Sequence, residues 1–173
     1  MDVRQTALEI FLEAEKTGAF AENLLRGALE KYDYEAPAQK ALLKRLTEET
    51  LERLLTLDFC LDSVSSVKVE RMKPLIRWLL RLSACQILFL ESVPDHAACS
   101  EAVRLAKQKG FARLSGFVNG VLRGLIRKKD GFVWPDADKE PVKALSVAYS
   151  MPEWIVSLWE GQYGRERTES MLK

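Results

Sequence analysis

Met72-Lys73-Pro74-Leu75-Ile76-Arg77-Trp78-Leu79-Leu80-Arg81-Leu82-Ser83-Ala84-Cys85-Gln86-Ile87-Leu88-Phe89-Leu90 is apolar on nearly every side of a 3.6-residue period. A helix of that kind belongs at the centre of a bundle, wrapped by other helices. Its charges, Lys73, Arg77 and Arg81, stand four apart and form one stripe, so one edge is expected to reach solvent or a partly buried acid. The stretch is not a membrane span. Arg77 and Arg81 break it well short of the roughly 18 apolar residues a bilayer requires, so no membrane partner is expected.

Working outward, the flanking segments read as amphipathic helices. Val3, Ala7, Ile10, Phe11 and Ala14 share one face, and Gly18 suits the C-terminal stop. Ala21, Leu24, Leu25, Ala28 and Leu29 form a second face. Pro37 suits the first turn of a third helix, with Leu43, Leu46, Thr50, Leu51 and Leu54 inward. Leu57, Leu61 and Val64 suggest a short fourth helix, closed by serines 63, 65 and 66. Beyond the central helix, Pro94 is a stop and Asp95 a candidate cap for a helix carrying Ala98, Ala102, Leu105 and Ala106, which Gly110 ends. Leu114, Phe117, Val118, Val121, Leu122 and Leu125 mark another. Gly116, Gly120 and Gly124 stand four apart on it; each costs about 1 kcal/mol against Ala in a helix interior, so a close-packed neighbouring backbone is expected beside them.

Periodicity stops at Lys128. Asp130, Gly131, Pro135, Asp136, Asp138 and Pro141 read as a linker. A short helix (142–149) and another from Pro152, with Trp154, Ile155, Leu158 and Trp159, follow it. Residues 165–173 look like the opening of a helix without a stop signal, as in a chain cut short. No strand-like alternation occurs. The expected class is all-α: a compact bundle over 1–129, a linker over 130–141 and connector helices over 142–173.

The net charge of +1 conceals a polarity along the chain. Residues 1–35 carry −4, but residues 101–129 carry +7, with Glu101 the one acid against Arg104, Lys107, Lys109, Arg113, Arg123, Arg127, Lys128 and Lys129. Such a segment suits a polyanion, although a solvated basic surface would have the same sequence. Cys60, Cys85 and Cys99 are odd in number and widely spaced, which fits reduced thiols in a cytoplasmic protein. His96 and Cys99 lie one helical turn apart, but two ligands do not make a metal site and nothing orients a nucleophile–base pair. No metal and no catalytic residue is therefore expected. Neither a dinucleotide-type glycine loop nor a phosphate-binding loop is present.

Three motifs in series carry a resemblance. They are Leu79-Leu80-Arg81-Leu82-Ser83-Ala84-Cys85-Gln86-Ile87-Leu88, then Val93-Pro94-Asp95-His96-Ala97-Ala98-Cys99-Ser100-Glu101-Ala102-Val103-Arg104-Leu105-Ala106-Lys107, then Gly116-Phe117-Val118-Asn119-Gly120-Val121-Leu122-Arg123. With Arg4-x-x-Ala7 and Gly18-Ala19-Phe20-Ala21-Glu22-Asn23, they resemble the NusB-like family over roughly residues 3–129. That family includes antitermination factors and the N-terminal domains of Sun/RsmB-type 16S rRNA cytosine-C5 methyltransferases. The tail, Tyr149-Ser150-Met151-Pro152-Glu153-Trp154-Ile155-Val156, then Trp159 and Tyr163-Gly164, resembles the connector to the methyltransferase half. Two departures count against boxA-style binding: only Arg4 stands where such proteins begin with several arginines, and Glu49-Thr50-Leu51-Glu52 replaces the usual Gly-x-Leu-Arg.

The resemblance implies an RNA-binding module that places rRNA under a methyltransferase domain. That domain would hold S-adenosylmethionine, with no cofactor in this segment. An antitermination module binding RNA and a ribosomal protein, or a structural domain packing on its own catalytic half, remains open. The expected RNA contacts are Arg4, Lys107, Lys109, Arg113, Arg123, Arg127 and Lys128, split into two groups if the two basic helices run antiparallel. Phosphate contacts would dominate with little sequence preference, because no aromatic platform is evident. Arg81 is expected to pair with Glu101, Asn119 to satisfy backbone groups near Pro94–Ala98, and Gly120 to lie under a neighbouring helix.

Overall fold

The computed structural model describes residues 1–173, and the fold is all-α. The helices are α1 (Val3–Thr17), α2 (Ala21–Lys31), α3 (Pro37–Glu52), α4 (Leu54–Asp62), α5 (Pro74–Phe89), α6 (Asp95–Gln108), α7 (Ser115–Lys128), α8 (Pro141–Tyr149), α9 (Glu153–Tyr163) and α10 (Arg165–Leu172). Short 3-10 turns at Val69–Arg71 and Ala112–Leu114 lead into α5 and α7.

Helix α5 is the hub, packed against α1, α3, α4, α6 and α7. Ten of its residues are buried, from Ile76 to Ile87, including the polar Ser83 and Gln86. Each of these two turns its side chain back to the carbonyl four residues earlier, so no donor is stranded in the core. The surrounding core is one cluster of 32 buried residues running from Val3 to Leu125. It includes a stack of Phe11 on Trp78, with ring centroids 4.4 Å apart and planes 3° apart.

Local chemistry sets the ends. Asp2 caps α1 by accepting the Gln5 amide at 3.0 Å, and Gly18 closes it at φ +74°, where a Cβ would be strained. Prolines 37, 74 and 141 occupy first-turn positions, where a missing N–H costs nothing. The expected Asp95 cap is not made. Pro94 takes the cap position, its carbonyl accepts the Ala97 and Ala98 amides, and Asp95 becomes the first helical residue.

The charge stripe of α5 does reach acids, but not the expected one. Arg77 and the Trp78 indole both donate to Glu15 of α1. Arg81 does not pair with Glu101. It forks onto both carboxylate oxygens of Asp58 on α4, at 2.8 and 2.7 Å, with its guanidinium 4.5 Å from the Trp78 ring centre. Helix α4 presents a carboxylate where both guanidinium arms can engage, while Glu101 is taken by Arg104 one turn along α6.

Asn119 and Gly120 also depart from expectation. The Pro94 carbonyl already serves the start of α6, and Asn119 instead accepts from Arg123 Nε at 3.4 Å in its own helix. Gly120 is exposed, with open space where a Cβ would stand. The core stripe of α7 is Val118, Val121, Leu122 and Leu125, and at 3.6 residues per turn the glycines fall on the other side. Gly124 alone of the three meets a neighbour, Val64 Cβ at 3.5 Å.

The last three helices rest on the bundle through α4 and α8. Thr56 donates to the Val147 carbonyl at 2.6 Å, and Ser150, left-handed at φ 53°, accepts the Leu55 amide at 2.9 Å. Trp134 stacks on Phe59 at 5.6 Å, bringing the segment after α7 back across α4. No helix is long and apolar enough to cross a membrane.

Candidate nucleic-acid interface

Helices α6 and α7 are antiparallel neighbours. At one end the Phe111 amide bonds the Ala106 carbonyl across the turn, and at the other Lys129 reaches Asp95 at 3.1 Å. Between their solvent faces lies an open cleft of about 920 Å³. Asp95, His96, Cys99 and Ser100 of α6 form one wall, and Gly116, Asn119, Arg123 and Arg127 of α7 the other. Only three of its 11 lining residues are hydrophobic, and two of the rest are arginines.

The charge in this groove is uncompensated. Arg123 bonds only the neutral amide of Asn119, and Arg127 has neither an ion pair nor a hydrogen bond. Their spacing of four puts both guanidinium groups on one helix face, aimed at one ligand. The single acid of the wall, Asp95, is engaged by Lys129. Cys99 lies beneath them, almost wholly buried; burial pushes its thiol up, Arg123 opposes that shift and Asp95 adds to it. The thiol is therefore no nucleophile at neutral pH.

The other expected contacts fare unequally. Lys109 is held by Glu9 of α1 at 2.8 Å, and Arg104 by Asp2 and Glu101. The acidic N-terminal segment thus neutralises much of the second half of α6. Lys107 and Arg113 remain exposed beside the Gly110 turn without ion pairs. Arg4 is half-buried and donates to Gln86 of α5 at 2.6 Å, which commits it to the bundle. Lys128 turns toward α4 and donates to the Ser63 carbonyl at 3.4 Å. The structure therefore gathers Arg123 and Arg127 in one cleft, leaves Lys107 and Arg113 at the far end, and removes Arg4 and Lys109 from the free set.

Known proteins can be placed against this geometry. The pattern of the NusB family matches residues 1–127. The chain belongs to the NusB family. It is similar to the probable ribosomal RNA small subunit methyltransferase B of Bacillus subtilis, 36% identical over 171 residues that make up 99% of this chain and 37% of that protein. It is also similar to the transcription antitermination protein NusB of Pseudarthrobacter chlorophenolicus, 33% identical over 127 residues, 73% of this chain and 91% of that one. The solved structure of antitermination factors NusB and NusE in complex with dsRNA shares the fold, with a TM-score of 0.65 at 21% identity over 72% of this chain and 93% of that chain. The chain thus spans little more than a third of the methyltransferase relative's length. The NusB-family match stops one residue short of the end of α7, whereas the match to the methyltransferase runs on through α8–α10.

One set of residues escaped the sequence reading. Phe89, Phe132, Trp134 and Tyr149 converge around a second cavity of about 530 Å³ between the NusB bundle and the last helices. The signal was present: Phe132 and Trp134 are large aromatic residues in a segment otherwise rich in Asp, Gly and Pro.

Proposed function

We propose that this chain is the RNA-binding N-terminal module of an rRNA (cytosine-C5) methyltransferase, placing rRNA for a catalytic domain beyond α10. The observation that carries the reading is the pair Arg123 and Arg127, free of carboxylates in the open α6–α7 cleft. Unpaired guanidinium groups on one face suit adjacent phosphates, which position a strand without reading its bases. The likeness to a NusB fold solved with dsRNA supports RNA as the ligand. The match running through α8–α10 favours the methyltransferase context over the antitermination one.

In this reading residues 1–129 are the RNA-binding bundle, 130–141 the linker and 142–173 the connector, in a cytoplasmic protein. The connector leaves Trp154 and Leu158 of α9 and Met171 of α10 exposed, apolar surface suited to cover by the catalytic domain. S-adenosylmethionine, the donor such a reaction takes, does not fit the α6–α7 cleft. The donor is a sulfonium cation, the α6–α7 cleft is lined by unpaired arginines, and there is no strand end carrying a glycine turn to receive it. This segment's own contribution is to bind and orient RNA.

The test is RNA affinity as a function of salt. Single-stranded RNA should bind with a log–log slope of about −0.7 per phosphate neutralised. Reversing both charges, Arg123→Glu with Arg127→Glu, should flatten that slope and weaken binding roughly 10-fold or more. The pair Lys109→Glu and Arg4→Gln should change it little. A flat salt response in the unaltered chain, or equal affinity in all variants, would leave a structural domain.

A further inference from the structure

We propose that the cavity walled by Phe89, Phe132, Trp134 and Tyr149 takes an unpaired nucleobase of the bound RNA, which rests on the reading of the chain as an RNA-binding module. Its volume of about 530 Å³ falls in the range of sites that enclose small ligands. Of the three cations on its wall, Arg53 is paired with Glu49 and Lys129 with Asp95, which leaves Arg165 as the free one, and the one acid there, Glu169, is itself paired with Lys173. Arg165 has no carboxylate partner and donates only to the Ala137 carbonyl at 2.8 Å. Aromatic walls with a free guanidinium at the rim match a base carrying its phosphate: the rings stack on the base and Arg165 meets the charge.

Trp134 is the principal platform. Phe59 backs its ring at 5.6 Å, Phe132 stands beside it at 5.5 Å, and half of its surface remains exposed. A tryptophan braced from behind but left half in solvent is prepared to stack on an incoming ring. Arg53 lies over Phe89 at 4.2 Å and keeps that guanidinium at the cavity edge.

The position relative to the α6–α7 cleft strengthens the assignment. Lys129 lines the aromatic cavity and Asp95 lines the cleft, and the two form one ion pair. The cavities are therefore neighbours across that bridge. A strand held by Arg123 and Arg127 that continues past Lys129 would carry an unpaired base toward Trp134. A duplex cannot make that move without unstacking a base. The site thus selects single-stranded or bulged RNA over continuous duplex.

The experiment uses the full chain with a short single-stranded RNA bearing one 2-aminopurine, and the same sequence as a duplex. Binding is followed by anisotropy of an end label, and base stacking by 2-aminopurine fluorescence. The expected results are saturable quenching with the single strand only, and roughly 10-fold weaker single-strand binding in Trp134→Ala. Trp134→Phe should retain most of the affinity, and duplex binding should change in neither variant. Circular dichroism confirms that the variants stay folded; Arg165→Ala, on an exposed side chain, gives the same reading should Trp134→Ala unfold. Anisotropy showing tight, salt-sensitive binding without quenching, or equal affinity in the variants, overturns the base pocket and leaves the cleft reading standing. No binding in either assay overturns both.

Discussion

Arg81 sits in the least forgiving place for a charge, on the hub helix, and it persists because Asp58 engages both guanidinium arms while Trp78 lies beneath. Both groups are mostly buried, at 11% and 23% side-chain exposure. Replacing Arg81 with Met should therefore cost about 2 kcal/mol, between the values for exposed and fully buried pairs, because Asp58 is left desolvated and alone. A double variant, Arg81→Met with Asp58→Leu, should recover part of that loss. Urea unfolding midpoints of the three variants decide it; no recovery in the double variant would mean the pair is not the source. The sequence made the need for an acid legible, since an apolar helix cannot keep a lone charge. Which acid was not legible, because Glu101 is prominent in a basic segment and Asp58 is unremarkable in a short helix. Gly120 misled for a related reason: regular spacing suggested a close approach, but the apolar stripe of α7 puts that face in solvent. Gly120→Ala should accordingly stabilise the chain by about 0.5–1 kcal/mol by helix propensity. It should leave RNA affinity unchanged, since Gly120 does not line the cleft. A destabilised variant in thermal unfolding would place an unseen neighbour over that face.

At the scale of elements, α1 is tied to α6 by charge as well as by the core. Asp2 meets Arg104 and Glu9 meets Lys109. Burial alone would raise both carboxyls, but the Gln5 amide and Arg104 at Asp2, and Lys109 and Gln5 at Glu9, more than offset it and hold both below the usual range. A folded-state value below the unfolded one gives stability that is present above the unfolded pKa, about 4, and lost as pH falls through the depressed values. The chain should thus lose stability below about pH 4, and Asp2→Asn with Glu9→Gln should flatten that decline. A pH profile of unfolding free energy unchanged by the two substitutions would show the pairs to be solvated ornaments of the surface. Helix periods from α1 to α7 were readable because the outer helices each bury one stripe, α2 against α1 and α3 and the others against α5, and packing preserved the pattern. The opposition of the acidic N-terminal segment to the bases at the end of α6 was not readable. Segment charges of −4 and +7 state a polarity but not which helices touch, so they do not place Glu9 beside Lys109.

For the whole molecule, the aromatic cavity lies where distant parts of the chain meet. The aromatic cavity draws Phe89 from the hub, Phe132 and Trp134 from the segment after α7, and Tyr149 from α8, a convergence no local period announces. The cleft was closer to legible, because Arg123 and Arg127 share a helix face whatever surrounds them. On the reading that the methyl donor belongs to the catalytic domain, isothermal titration of the purified chain with S-adenosylmethionine should give no stoichiometric heat; a saturable signal at one site per chain would require a donor pocket in this bundle. The Phe11–Trp78 stack has a further consequence, for light. Trp78 is sealed beneath Phe11 with its indole held by a carboxylate, while of the three tryptophans after α7 Trp154 is 69% exposed, Trp134 half so and Trp159 partly. The chain's emission is therefore a sum of a blue component, inaccessible to dissolved quenchers, that reports the bundle, and red, quenchable components that report the segments after α7. The protein carries its own two-colour label for telling which of its parts opens first.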